Sequence, residues 1–145
     1  MKNRALLSLA ALSLSAACVS LPGLPPPGTP GSSASNPCTT PVCEVGITVT
    51  TCTEQYNDIK ADPDKLYVTA PPNTGIHWTI NSSGFTFVGQ GIAFKTEPGK
   101  RTFRNPRPGT TDWSYDNAGT SGQYDYGIWL KGPSGTCHVD PSIMN

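Results

Sequence analysis

From Cys43 to Asn145, apolar and polar positions alternate in short runs broken by Gly, Pro, Asn and Asp every eight to twelve residues, and no window holds a sustained 3.6-residue apolar period. Val45, Ile47 and Val49 fall on one face of an extended segment, as do Ile76, Trp78 and Ile80. Tyr124, Tyr126, Ile128 and Leu130 form the longest such row. A period of two, with turn residues at this spacing, predicts half-buried strands rather than helices. Strands are expected over 45–51, 65–70, 76–80, 85–88, 92–96, 102–104, 111–115, 124–131 and 136–139. Phe85 and Phe87 point one way until Gly89-Gln90-Gly91, where a bulge or tight bend is predicted. Lys131-Gly132-Pro133-Ser134-Gly135 predicts the turn into the last strand. About 100 residues with this pattern make one compact domain. The expected fold class is all-β, a two-sheet antiparallel β-sandwich over residues 43–145 with the inward rows meeting as its core.

The region ahead of this domain has a different character. Lys2 and Arg4 precede an apolar run over 5–17 that is interrupted only by serines and ends Ser15-Ala16-Ala17-Cys18. Positive head, apolar middle and small residues are the layout of an export signal, expected over residues 1–17. The run is too short to cross a ~30 Å hydrocarbon core as a helix. Ala16, Ala17 and Cys18 resemble the lipobox of bacterial lipoproteins, with Ser15 standing where an aliphatic residue is usual. That resemblance implies lipidation at Cys18 and attachment to a membrane through the lipid. Val19 in place of an aspartate implies the outer membrane by the sorting habit of enteric-type bacteria. Ser15 and Ala17 equally suit ordinary signal peptidase, which would leave a soluble secreted or periplasmic protein. Residues 18–42 are expected to hold this cysteine and a tether. Pro22, Pro25, Pro26, Pro27, Pro30 and Pro37, mixed with glycines and serines and without charge up to Pro37, bias the segment towards hydrated polyproline. At about 3 Å per residue such a spacer reaches up to ~50 Å. A proline-rich ligand for a partner domain is the other use of such a run.

The chain has five cysteines. Acylation of Cys18 would leave Cys38, Cys43, Cys52 and Cys137, an even number for an oxidising compartment. Cys43 and Cys52 flank the first strand, which at ~3.3 Å per residue holds them roughly 30 Å apart, beyond disulfide reach. Of the two remaining pairings, Cys38–Cys43 with Cys52–Cys137 is preferred. The first closes a short loop at the start of the domain, and the second ties the first strand to the last. The spacing matches no zinc knuckle, so no metal is expected there.

Removal of Lys2 and Arg4 with the signal leaves eight Lys+Arg against ten Asp+Glu, which provides no basic field for nucleic acid. One local cluster stands out: Lys95, Lys100, Arg101, Arg104 and Arg107, countered only by Glu97. It reads either as a solvated hairpin that protects a sheet edge or as a patch for anionic envelope polymers or lipid head groups.

Gly122-Gln123-Tyr124-Asp125-Tyr126 resembles the cupredoxin strand that leads to the copper cysteine, and His77, Cys137, His138 and Met144 follow the order of blue-copper ligands. The resemblance implies a cupredoxin-like or immunoglobulin-like sandwich. It does not extend to the metal: Ile128 occupies the ligand-cysteine position, and Cys137 and His138 are adjacent, so they face opposite sides of a strand. Ser82 and Ser134 lie in no Gly-x-Ser-x-Gly elbow. Asp58, Asp62 and Asp64 are expected in an acidic turn around Pro63 that fits no calcium loop. Tyr67, Trp113 and Trp129 fall on the parity opposite the expected core, which makes them a stacking platform for sugars, a partner patch or a second core layer. The ending Asp140-Pro141-Ser142-Ile143-Met144-Asn145 resembles the short Asp-Pro tail of small exported bacterial proteins and implies no activity.

The functional expectation is a non-catalytic binding or structural module of the cell envelope, without cofactor, partnered by an envelope protein or polymer. The alternatives are a divergent copper carrier or electron-transfer protein using His77, His138 and Met144, and a binder of anionic envelope polymers.

Overall fold

A computed structural model describes residues 32–34 and 36–145, so the expected signal segment, Cys18 and most of the tether lie outside the described residues. In chain order the elements are β1 (Val42–Cys52), β2 (Asn57–Asp62), β3 (Lys65–Tyr67), β4 (Thr74–Ile80), β5 (Thr86–Phe94), α1 (Glu97–Thr102), β6 (Phe103–Pro108), β7 (Asp112–Asn117), β8 (Gln123–Gly132), β9 (Gly135–Val139) and β10 (Ser142–Met144). They form an all-β sandwich of two sheets. One sheet has the order β2-β1-β4-β7-β6; the other has the order β3-β10-β8-β5, with β9 also paired to β8.

The sheets are mixed rather than purely antiparallel. β1 pairs parallel with β4, and β3 pairs parallel with β10. The chain leaves the first sheet after β2, contributes β3 to the second, and returns as β4 beside β1. A parallel neighbour needs such a crossover, whereas a hairpin would have reversed the strand.

Four further expectations change. The acidic turn is only partly a turn: Pro63 and Asp64 form the bend, whereas Asp58 and Asp62 lie on strand β2, where only Ile59 is buried, too little apolar alternation to signal a strand. The segments expected over 85–88 and 92–96 are one strand, β5, whose register shifts between Phe87 and Ile92 where Gly89 and Gly91 take φ values of 60° and 54°. A short helix, α1, occupies a stretch read as loop. Thr96 caps it by accepting from Gly99 N–H at 3.3 Å, Glu97 lies in its first turn, and Lys100 and Arg101 lie in its last. Finally, the expected tail carries β10, which lies between β3 and β8 with Ile143 fully buried.

The core joins the inward rows of both sheets. Ile47, Ile76 and Trp78 meet Ile92, Tyr126, Ile128, Leu130 and Ile143, all buried. Trp78 Nε1 donates to the Tyr126 hydroxyl at 3.0 Å across the layers, with the rings edge to face at 5.4 Å. Burial pushes the Tyr126 phenol well above its ordinary pKa, so it remains protonated and able to donate or accept. Asn117, also fully buried, exchanges amide hydrogen bonds of 2.7 and 2.9 Å with Asn145.

Both preferred disulfides are present, Cys38–Cys43 and Cys52–Cys137. They indicate an oxidising, exported environment. The structured unit begins ahead of Cys43, inside the segment read as tether. Cys38 N–H donates to Tyr67 C=O at 2.7 Å, Thr69 N–H donates to Cys38 C=O at 3.1 Å, and Tyr67 N–H donates to Ser32 Oγ at 2.9 Å. No helix among the described residues is long and apolar enough to cross a membrane.

Candidate functional site

β5 and β6 are edge strands of different sheets, and α1 links them along one side of the sandwich. Between them runs a groove of about 680 Å³. Its floor is aromatic: Phe94 and Phe103 stack in parallel with centroids 4.1 Å apart, and Tyr115 meets Phe94 edge to face at 5.5 Å. Trp113 completes the lining, and Lys100, Arg104 and Asn105 supply polar groups.

Local sequence explains this geometry. On β7, Trp113, Tyr115 and Asn117 share the inward face while Ser114 and Asp116 point outward. Trp113 is therefore a core-side residue, contrary to the parity expected for it. Its indole lies over Gly91, where an added Cβ would stand 2.2 Å from the ring. Glycine is required there twice, for that approach and for the positive φ. The Tyr115 hydroxyl donates to Ile92 C=O at 2.8 Å and so ties β7 to β5. Burial raises the Tyr115 pKa, and the neighbouring Trp113 side chain offsets part of that rise. Trp113 Nε1 itself is buried without a hydrogen bond among the described residues.

The five clustered cations separate in space. Lys95 pairs with Asp140 at 2.8 Å, and Lys100 pairs with Glu97 at 2.8 Å. Arg107 binds Asp116 and donates to Ser114 Oγ at 3.2 Å. The carboxylates respond accordingly. The hydrogen bond from Lys100 holds Glu97 below its ordinary pKa, and those from Arg107 and Asn105 do the same for Asp116. Burial works to raise Asp140, but Lys95 and His138 together hold it below its ordinary value. Among the described residues no carboxylate forms an ion pair with Arg101 or Arg104. Of the cluster, Lys100 and Arg104 line the groove. β6 also carries Pro106 and Pro108, which block strand pairing along this edge.

The blue-copper order is not assembled into a site. His77 stands on the outer face of the first sheet, with Nδ1 2.7 Å from Glu44. His138 stands on the outer face of the second sheet, stacked on Trp129. Cys137 is bonded to Cys52 and has no thiolate to offer. Ser82 Oγ accepts from Val49 N–H at 2.9 Å, a structural use.

The aromatic half of the groove escaped the sequence reading because it comes from three strands. The available signal was the interleaving of Phe94-Lys95 and Phe103-Arg104, cations beside rings in the same run. Compared with known proteins, the chain matches no family model and no curated sequence.

Proposed function

We propose that this chain is an exported, non-catalytic binding module of the cell envelope, held to a membrane by a lipid on Cys18, that takes an anionic envelope polymer along the groove between β5 and β6. The observation that carries the reading is the Arg104 guanidinium, which faces Asp116 across the β6–β7 register but forms no direct ion pair with it, beside a rigid aromatic floor. A guanidinium offers a planar fork of donors to carboxylate or phosphate. The partly buried Tyr115, with the edges of the buried Phe94 and Phe103 that reach the groove, offers an apolar surface for the body of a sugar or lipid unit. Arg101, in the last turn of α1 near Glu97 but without a direct ion pair to it, adds positive charge along the same edge. The floor is held by strands and by the Tyr115–Ile92 bond between the sheets, so little ordering is needed on binding.

Pull-down on purified peptidoglycan and on lipopolysaccharide tests this. The Arg101→Glu/Arg104→Glu variant is expected to lose retention that Lys60→Glu keeps, and wild-type retention is expected to fall as salt rises. Retention unchanged by the double reversal overturns the groove assignment. Intact mass of the membrane-extracted protein tests the anchor: it reports an acylated Cys18 as the first residue together with the loss of four thiol hydrogens. A chain that still begins at Met1 refutes lipidation.

A further inference from the structure

Adjoining the groove at Gln90, on the outer face of the second sheet, β5, β8, β9 and the β1–β2 turn enclose a shallow bowl of about 700 Å³. We infer that this bowl is a separate binding site for an uncharged pyranose unit of a glycan. Trp129 and His138 are directly opposed in the β8–β9 register, and their rings lie 15° from parallel with centroids 5.6 Å apart. Trp129 is only partly buried, so part of its indole remains accessible within the bowl it lines. Gly127, two residues before Trp129, makes room for this pose, since an added Cβ there would stand 2.2 Å from the indole. The imidazole is steadied from outside: His138 Nε2 lies 3.4 Å from Asp140, which Lys95 holds at 2.8 Å.

The rim names the ligand class. Glu54, Asn57, Gln90 and Thr136 line the bowl, and among the described residues none of these four side chains makes a hydrogen bond. They present two carboxamides, a hydroxyl and a carboxylate, donors and acceptors suited to the hydroxyl groups of a sugar. The C–H face of a pyranose carries slight positive charge and meets the negative face of an indole favourably. No Lys or Arg lines the bowl, and Glu54 repels anions, so an acidic ligand of the kind proposed for the groove is disfavoured here. The volume falls within the ~300–1,000 Å³ usual for small-ligand sites. The walls are rigid as well, because Cys137, bonded to Cys52, forms part of them.

Titration of the folded protein with cellotetraose and chitotetraose, followed by tryptophan fluorescence and calorimetry, tests the inference, with tetragalacturonate as the acidic comparison. At least one neutral tetramer is expected to bind while the acidic one leaves this site empty. Trp129→Ala should weaken binding roughly tenfold or more, and Asn57→Ala, exposed at the start of β2 and absent from the groove, about fivefold without disturbing the fold. Arg101→Glu/Arg104→Glu should leave neutral-sugar binding intact, which separates this site from the groove. Binding of neither neutral tetramer overturns the inference, as does affinity unchanged in both Trp129→Ala and Asn57→Ala.

Discussion

Replacing Cys52 and Cys137 together by alanine removes the longer of the two covalent links, and its cost follows from how much chain each link closes. Cys52–Cys137 spans 85 residues, whereas Cys38–Cys43 spans 5. In the chain-entropy treatment the first restricts the unfolded ensemble by about 4.5 kcal/mol at 25 °C and the second by about 2 kcal/mol. Cys52 and Cys137 are also 3% and 8% exposed, so truncation removes packed sulfur and adds to the larger figure. Against the ~5–15 kcal/mol net stability of an ordinary domain, losing the long link brings the protein close to its unfolding threshold, while losing the short one does not. Urea denaturation of the oxidised wild type, Cys52→Ala/Cys137→Ala and Cys38→Ala/Cys43→Ala measures both. The long-loop variant should show the lower midpoint and the steeper dependence on urea, because its unfolded state expands further. Equal losses, or a larger loss in the short-loop variant, would refute the loop-length reasoning.

Three further outcomes are expected. Tyr126→Phe leaves Trp78 Nε1 buried without its acceptor and should cost about 1–3 kcal/mol; adding Trp78→Phe should cost less than the sum of the single changes, and additivity in denaturant titrations would show that the bond is not coupled. Gly91→Ala meets both a positive φ and the Trp113 ring and should lose about 2–4 kcal/mol, whereas Gly89→Ala, at φ 60° with open space around it, should lose only about 1 kcal/mol; thermal melts that rank them equally would count against the close approach. Because Asp116 is held below its ordinary 3.8, its contribution is fully present above that value and is lost as pH falls through the lower folded-state pKa; Arg107→Gln should flatten this acid limb of the stability profile, and an unchanged limb in acid titration would remove Asp116 from the account.

Where side chains alternated strongly, the fold was legible in the sequence. The rows Val45-Ile47-Val49, Ile76-Trp78-Ile80 and Tyr124-Tyr126-Ile128-Leu130 became the inward faces of β1, β4 and β8. Cys43 and Cys52 at opposite ends of a strand were enough to exclude their pairing. Two elements with a single buried residue escaped notice. β2 offers Ile59 and β10 offers Ile143, and each is a strand because a neighbour supplies its hydrogen bonds. α1 contains Pro98 in its first turn, where its missing N–H is tolerated but gives no sequence sign of a helix, and Gly99, a poor helix former; it is held by its Thr96 cap. The cation cluster was visible as a run of sequence, but the partners that disperse it, Asp116 and Asp140, lie further along the chain and arrive only through tertiary packing. That dispersal decides which cations remain uncommitted, and no local pattern encodes it.

The place of β10 constrains when the molecule can take shape. β3 joins its sheet only through β10, and β10 is made from residues 142–144. A chain emerging in order from a ribosome or a translocation channel can close the β8–β9 hairpin early, yet it cannot seat β3 until Ile143 has come out. The parallel β3–β10 pairing is slow to form as well, since it joins segments distant in sequence. The second sheet is therefore completed only when the last strand of the domain has been delivered.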